Sequence, residues 1–178
     1  YYFLKNVSKK SLSESIPIYM NAIVLSALWG VVMMFSGLYS KSNTTVRVIA
    51  ITGLSALLIA NILEMNGIRF FDIDVRNMMV FDNFSLLFNA IAFAACLVYF
   101  LLSGRDFEKV GTNVAEYYAL IFFVLCGIGI ASSFNTLLML FLGIEIISIP
   151  LYILTGSDKR NLKSNEASLK YFLLGCFS

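Results

Sequence analysis

The sequence predicts an all-α integral membrane protein, a polytopic helical bundle, and three observations carry that expectation. Hydrophobic residues make up 59% of the 178 and charged residues only 13%, whereas soluble domains carry about 25% charged residues. The mean hydropathy is +0.82. Apolar runs recur six times, five of them close to the roughly 20 residues that cross a bilayer, with the basic residues falling between them. The chain begins at Tyr1 rather than Met and stops at Ser178 inside a sixth run that has barely begun, so it reads as a fragment.

Length and charged punctuation place the spans at 16–39, 46–65, 84–103, 115–133 and 136–155, and from 165 onward. The first is too long for a signal-peptide core and lacks a small-residue cleavage pattern, so it is a true span. The connection at 66–83 alternates Phe71, Ile73 and Val75 with Asp72, Asp74 and Arg76, the period of a half-buried strand, with an irregular interfacial loop as the alternative. Asp82 or Asn83 is placed to cap the third helix. Lys41, Arg47, Arg105, Lys109, Lys159, Arg160 and Lys163 lie on one side, seven against the five of Lys5, Lys9, Lys10, Arg69 and Arg76. By the positive-inside rule this puts the N-terminus outside. The chain divides at the linker before 112, three helices in 1–111 and the start of a second unit in 112–178.

The fifth run carries the strongest chemical signal. Glu145 is the lone charge in the 18-residue stretch Leu137 to Leu154, LLMLFLGIEIISIPLYIL. A carboxylate at the middle of such a helix costs about 2.5 to 3.5 kcal/mol on the lenient insertion scale. Intramembrane acids are functional sites by default, and this one points to proton or ion chemistry. Ser148 and Tyr152, at i+3 and i+7, share its face and form a polar stripe. Pro150 removes a backbone donor and releases the carbonyl of Ile146 beside the acid, favouring a kink or a wet pocket. The plainer alternatives are a Ser148 hydroxyl bonded back to its own helix and a proline serving only packing.

Lys170, in SLKYFLLGCFS, offers the acid a partner on the next helix. Glu166 stands four residues before it in the favourable order for a helical ion pair, so Lys170 has two possible acids. Glu64 and Glu116 fall at helix ends, where each reaches interfacial water and acts as a solvated cap. Asn21, Asn61 and Asn89 read as interhelical hydrogen-bond glue.

Several function classes are excluded as expectations. No basic stripe interleaved with aromatics appears, which argues against nucleic acid as a partner. Cys96, Cys126 and Cys176 sit apart in apolar runs of a chain with no histidine, so they read as small buried hydrophobes rather than metal ligands. GIGIAS at Gly127 lies mid-span and is no dinucleotide fingerprint.

The run NTLLMLFLGIEIISIPLYILTG from Asn135, followed by KSNEASLKYFLLGCFS, resembles the fifth and sixth helices of the antiporter-like membrane subunits of respiratory complex I, the proton-pumping NADH:quinone oxidoreductase. The likeness is greatest to the N-subunit family, and EYYAL at Glu116 is similar to that family's entry into helix four. The resemblance covers helices four to six in wording and helices one to three in order and length. It implies a protein of about 14 helices, of which this is roughly the first third. Residue by residue it makes Glu145 the helix-five glutamate, Lys170 the helix-six lysine and Pro150 the proline that follows the glutamate.

It further implies a subunit that translocates protons without carrying electrons, embedded in the lipid bilayer of a bacterial inner membrane beside other membrane subunits. NADH, FMN, iron-sulfur clusters and quinone would then belong to other parts of the complex, and no cofactor to this chain. A subunit of a multisubunit cation/proton antiporter shares the helix-five acid and is the alternative. A purely structural membrane subunit is the third.

Overall fold

The computed structural model describes residues 21–39, 42–68, 78–102, 114–158 and 161–177. Among the described residues six helices follow one another: α1 (Asn21–Tyr39), α2 (Asn43–Met65), α3 (Asn83–Leu102), α4 (Val114–Ser132), α5 (Leu137–Thr155) and α6 (Leu162–Phe177). α1 to α5 are long and apolar enough to cross a membrane. The expected spans match these helices within three residues wherever the ends are described. The alternating segment 71–76 lies outside the described residues, as does the side chain of Asn21.

Neighbouring helices run antiparallel: Ala22 at the start of α1 meets Glu64 at the end of α2, Arg47 near the start of α2 meets the end of α3, and Phe100 of α3 meets Tyr118 of α4. α1, α2, α3 and α4 enclose one core, in which Met33, Leu54, Leu57, Phe93, Phe100, Tyr118 and Phe122 are almost fully buried. Aromatic geometry organises its centre, with Phe100 and Tyr118 edge to face at 4.7 Å between centroids. This core spans both sides of the 112 boundary. Small residues let backbones approach where helices cross. Gly37 of α1 faces Ala115 of α4, Gly30 faces Phe123, and Gly129 faces Ile23. α5 packs on the outside of α4 through Gly143, whose position is closed by the backbone of Ala131, and through Ile147 against Gly127.

The two asparagines expected as glue serve that role. Asn61 of α2 donates to the Leu86 carbonyl of α3 at 2.9 Å, and Asn89 of α3 accepts from Ser132 of α4 at 3.0 Å. Asp82 marks the start of α3 through its carbonyl, which accepts from the Leu86 amide at 3.1 Å and the Ser85 hydroxyl at 2.9 Å. The segment before α3 is also fastened across the bundle. Met79 and Phe134 form an antiparallel bridge, with Val80 donating to Ser133 at 2.8 Å and Asn135 donating to Met78 at 3.0 Å. That bridge ties the entry of α3 to the turn between α4 and α5.

Three expectations are corrected here. Glu64 is not a solvated cap: it is 2% exposed, because α1 lies across the last turn of α2 and its Ala22 amide donates to the Glu64 carboxylate at 3.3 Å. Arg47 belongs to no loop, since α2 starts before it, and its guanidinium bonds the Leu101 carbonyl at 2.8 Å at the end of α3. Cys176 is exposed rather than buried, on an α6 whose described contacts are to α5; Cys96 is half-buried and Cys126 buried.

Candidate functional site

α5 presents two opposed faces, and the division follows from helical periodicity. Gly143 and Ile147 meet α4, and Pro150, one further turn along the same side, is buried. Glu145, Ser148 and Tyr152 occupy the other side, at the 100° per residue of an α-helix. The helix continues through Pro150 to Thr155. N-terminal to Glu145, the side bearing it is apolar and open, with Leu138 and Phe141 each 59% exposed. Glu145 is half-buried, and among the described residues it makes no hydrogen bond or ion pair.

The polar stripe is realised in part. The Ser148 hydroxyl donates to the Ile144 carbonyl at 2.8 Å, four residues back on its own helix, which is the local bond that competes with any relay role. Tyr152 faces α6. Its ring stands edge to face with Tyr171 at 4.8 Å and with Phe172 at 5.8 Å, and it fills the space over Gly175. Two hydroxyl bonds fasten the helices together, Ser168 to the Tyr152 carbonyl and Ser164 to the Thr155 carbonyl, each 2.7 Å. The α6 face against α5 therefore runs Ser164, Ser168, Phe172 and Gly175.

That face decides where Lys170 stands. Two residues from Ser168, Lys170 lies about 200° round the helix, on the side turned away from α5. Glu166 lies about 160° round on the same far side, and the two form an ion pair at 2.5 Å with side chains 69% and 63% exposed. The axial register agrees with this separation. Ser168 is level with Tyr152, so Glu145, seven residues away, is level with the last turn of α6, about 7.5 Å along the axis from Lys170. The structure thus gives Lys170 to Glu166 and leaves Glu145 on a different face. Glu116 is exposed in the first turn of α4, at the opposite end of the bundle from the start of α5.

Among the described residues, no group of three or more His, Cys, Asp or Glu side chains gathers as metal ligands. The burial of Glu64 does carry a signal in the sequence. Leu54, Leu57, Asn61 and Glu64 repeat at helical spacing and are all buried, so the acid continues a core face rather than ending it.

Comparison with known proteins places this geometry among relatives. Residues 134–178, which include Glu145 and Lys170, match the transmembrane family described as NADH:quinone oxidoreductase/Mrp antiporter. NADH-quinone oxidoreductase subunit N of Flavobacterium psychrophilum is 36% identical over 159 residues, 89% of this chain and 34% of that protein. The subunit N of Trichlorobacter lovleyi is 30% identical over 97% of this chain and 35% of its own length. NAD(P)H-quinone oxidoreductase subunit 2 of Gloeothece citriformis is 36% identical over 78% of this chain and 26% of its own length. The chain spans about a third of the length of the curated relatives it matches.

Proposed function

We propose that this chain, which belongs to the family of NADH-quinone oxidoreductase subunit N, forms part of a membrane subunit that translocates protons while other subunits carry electrons from NADH to quinone. One observation carries the reading: α5 is anchored on α4 by one face and holds Glu145 on the opposite face, beside Ser148 and Tyr152 and between exposed apolar residues. An acid held there by a rigid helix, without a protein partner among the described residues, is free to exchange a proton with whatever group approaches that side. The cost of burying its charge makes the exchange sensitive to a nearby ammonium.

Lys170 serves this scheme as a second carrier of positive charge. Its exposed local pair with Glu166 is of a kind that contributes little, about 0.3 to 0.5 kcal/mol, so a rotamer change releases it at small cost. Tyr152 sets the spacing between α5 and α6, and Pro150 lies on the anchored side. Ser148 and Glu116 are supporting residues, the first beside the acid and the second at the opposite end of the bundle. Redox groups belong to other subunits in this reading. The partners are the neighbouring membrane subunits and lipid, the location is the bacterial inner membrane with the N-terminus outside, and the translocating unit begins near residue 112.

Replacing Glu145 with Gln in the assembled complex tests the proposal. The expected result is normal assembly and NADH oxidation with fewer protons moved per NADH. Full pumping with normal assembly would sink it. The family description also names Mrp antiporters, which favours one second reading, a subunit of a cation/proton antiporter. Proton movement driven by a sodium gradient without NADH, abolished by the same substitution, would decide for it.

A further inference from the structure

A second intramembrane carboxyl has no task in the scheme above. Glu64 closes the last turn of α2 at 2% exposure, and its Oε2 accepts from the Ala22 amide of α1 at 3.3 Å. Its Oε1 is buried and has no hydrogen-bond partner among the described residues. One turn earlier Asn61 is 0% exposed. Its Nδ2 donates to the Leu86 carbonyl at 2.9 Å, and its Oδ1 is likewise buried without a partner. Two acceptor oxygens therefore stand three residues apart on one face of α2, a spacing that brings side chains within reach of each other.

Two acceptors cannot satisfy one another, and buried polar atoms left unpaired are strongly disfavoured. A single hydrogen between them removes both deficits. Only one of the two groups can bring it, because a carboxylic acid is a donor and a carboxamide oxygen is not. The surroundings agree. α1 carries no charged side chain in its described length, and Arg47 is at the far end of α2, on the carbonyls of α3. Asp82 is exposed at the start of α3, and Cys126 is buried on α4; neither is bonded to Glu64. Among the described residues, the positive end of the α1 dipole, acting through one long amide bond, is all that would hold a carboxylate there.

We propose that Glu64 and Asn61 form a proton-holding site within the bundle, separate from Glu145. One proton taken from water sits on Oε1 of Glu64 and is donated to Oδ1 of Asn61, while Oε2 keeps the Ala22 amide. No other bond forms or breaks. The site lies outside residues 134–178, in the helices that the family match does not reach. It does not rest on the role given to Glu145.

Infrared difference spectra of the assembled complex in membranes test this. The complex should show a protonated carboxyl C=O band that disappears in Glu64→Gln and persists in Glu145→Gln. Asn61→Leu should move that band to higher frequency, because the acid then has no acceptor. Assembly should fall in Glu64→Ala and return in Glu64→Gln, whose amide presents the same donor and acceptor as the neutral acid. A Glu64→Gln spectrum that superposes on the unsubstituted one would overturn the proposal. If the Gln variant does not assemble, the Asn61→Leu spectrum decides, an unmoved band counting against it. An experimental map of the unsubstituted complex with a water molecule or an arginine of 69–77 bonded to Oε1 would also refute it.

Discussion

Gly143→Ala is the smallest change that probes how Glu145 is held. A Cβ at this position would meet the Ala131 amide nitrogen at 2.7 Å, the Ala131 Cβ at 2.8 Å and the Ala131 Cα at 2.9 Å. Carbon contacts are comfortable at about 3.5 to 4.0 Å, so the two helices must part by roughly 1 Å. None of the three atoms can swing aside, since two are backbone and the third is a methyl group fixed to it. Forced overpacking of this kind costs about 1 to 3 kcal/mol. The displaced helix is the one that presents Glu145, so the strain and the functional shift share one cause. Thermal denaturation of the extracted complex should show the loss of stability, and protons moved per NADH should fall in the fraction that assembles. Gly67→Ala is the control. Gly67 has φ +82° with nothing within 4 Å of the added carbon, so that variant costs about 1 to 2 kcal/mol of backbone strain without moving α5. A Gly143→Ala complex indistinguishable from the unsubstituted one in both measurements would refute the close-packing argument.

Two further outcomes are expected. Lys170→Gln should change the melting temperature very little, because an exposed i,i+4 pair contributes only about 0.3 to 0.5 kcal/mol, so any loss of pumping in that variant reports on the charge itself. Arg47→Met should destabilise the bundle by about 1.5 to 3 kcal/mol through loss of its charged bond to the Leu101 carbonyl, with Arg47→Lys recovering part of it; denaturation midpoints of the three proteins check this.

The helices were legible because apolar length and charged punctuation are properties of the chain itself. Pro150 did not mislead, since the span on both sides of it is too long to be two elements. The face of α5 was legible as well: Glu145, Ser148 and Tyr152 share the side that periodicity assigned. What the Ser148 hydroxyl bonds was open, because its own helix offers the Ile144 carbonyl at 2.8 Å wherever the neighbours stand. Lys170 shows a different limit. Its distance from the helix end could be counted, but which way it points depends on the pairing of Ser168 with Tyr152, a contact between helices. Glu64 looked like a helix-end acid in water because nothing in the chain says that α1 lies across it. Its place in the repeat Leu54, Leu57, Asn61, Glu64 was the clue.

α2 is gripped at both ends by opposite backbone poles. Glu64 takes the amide end of α1, and Arg47 takes the carbonyl end of α3. The two holds are 17 residues apart, about 25 Å along the helix axis. Sliding α2 in either direction pulls a polar side chain off a backbone pole, and a one-turn slip of about 5.4 Å would break both holds together. α1, α2 and α3 are thereby locked in height relative to one another, like rungs pinned at two levels. In the proposed scheme, movement that accompanies proton transfer would fall to α5 and α6, where the grip is made of glycine contacts and hydroxyl bonds.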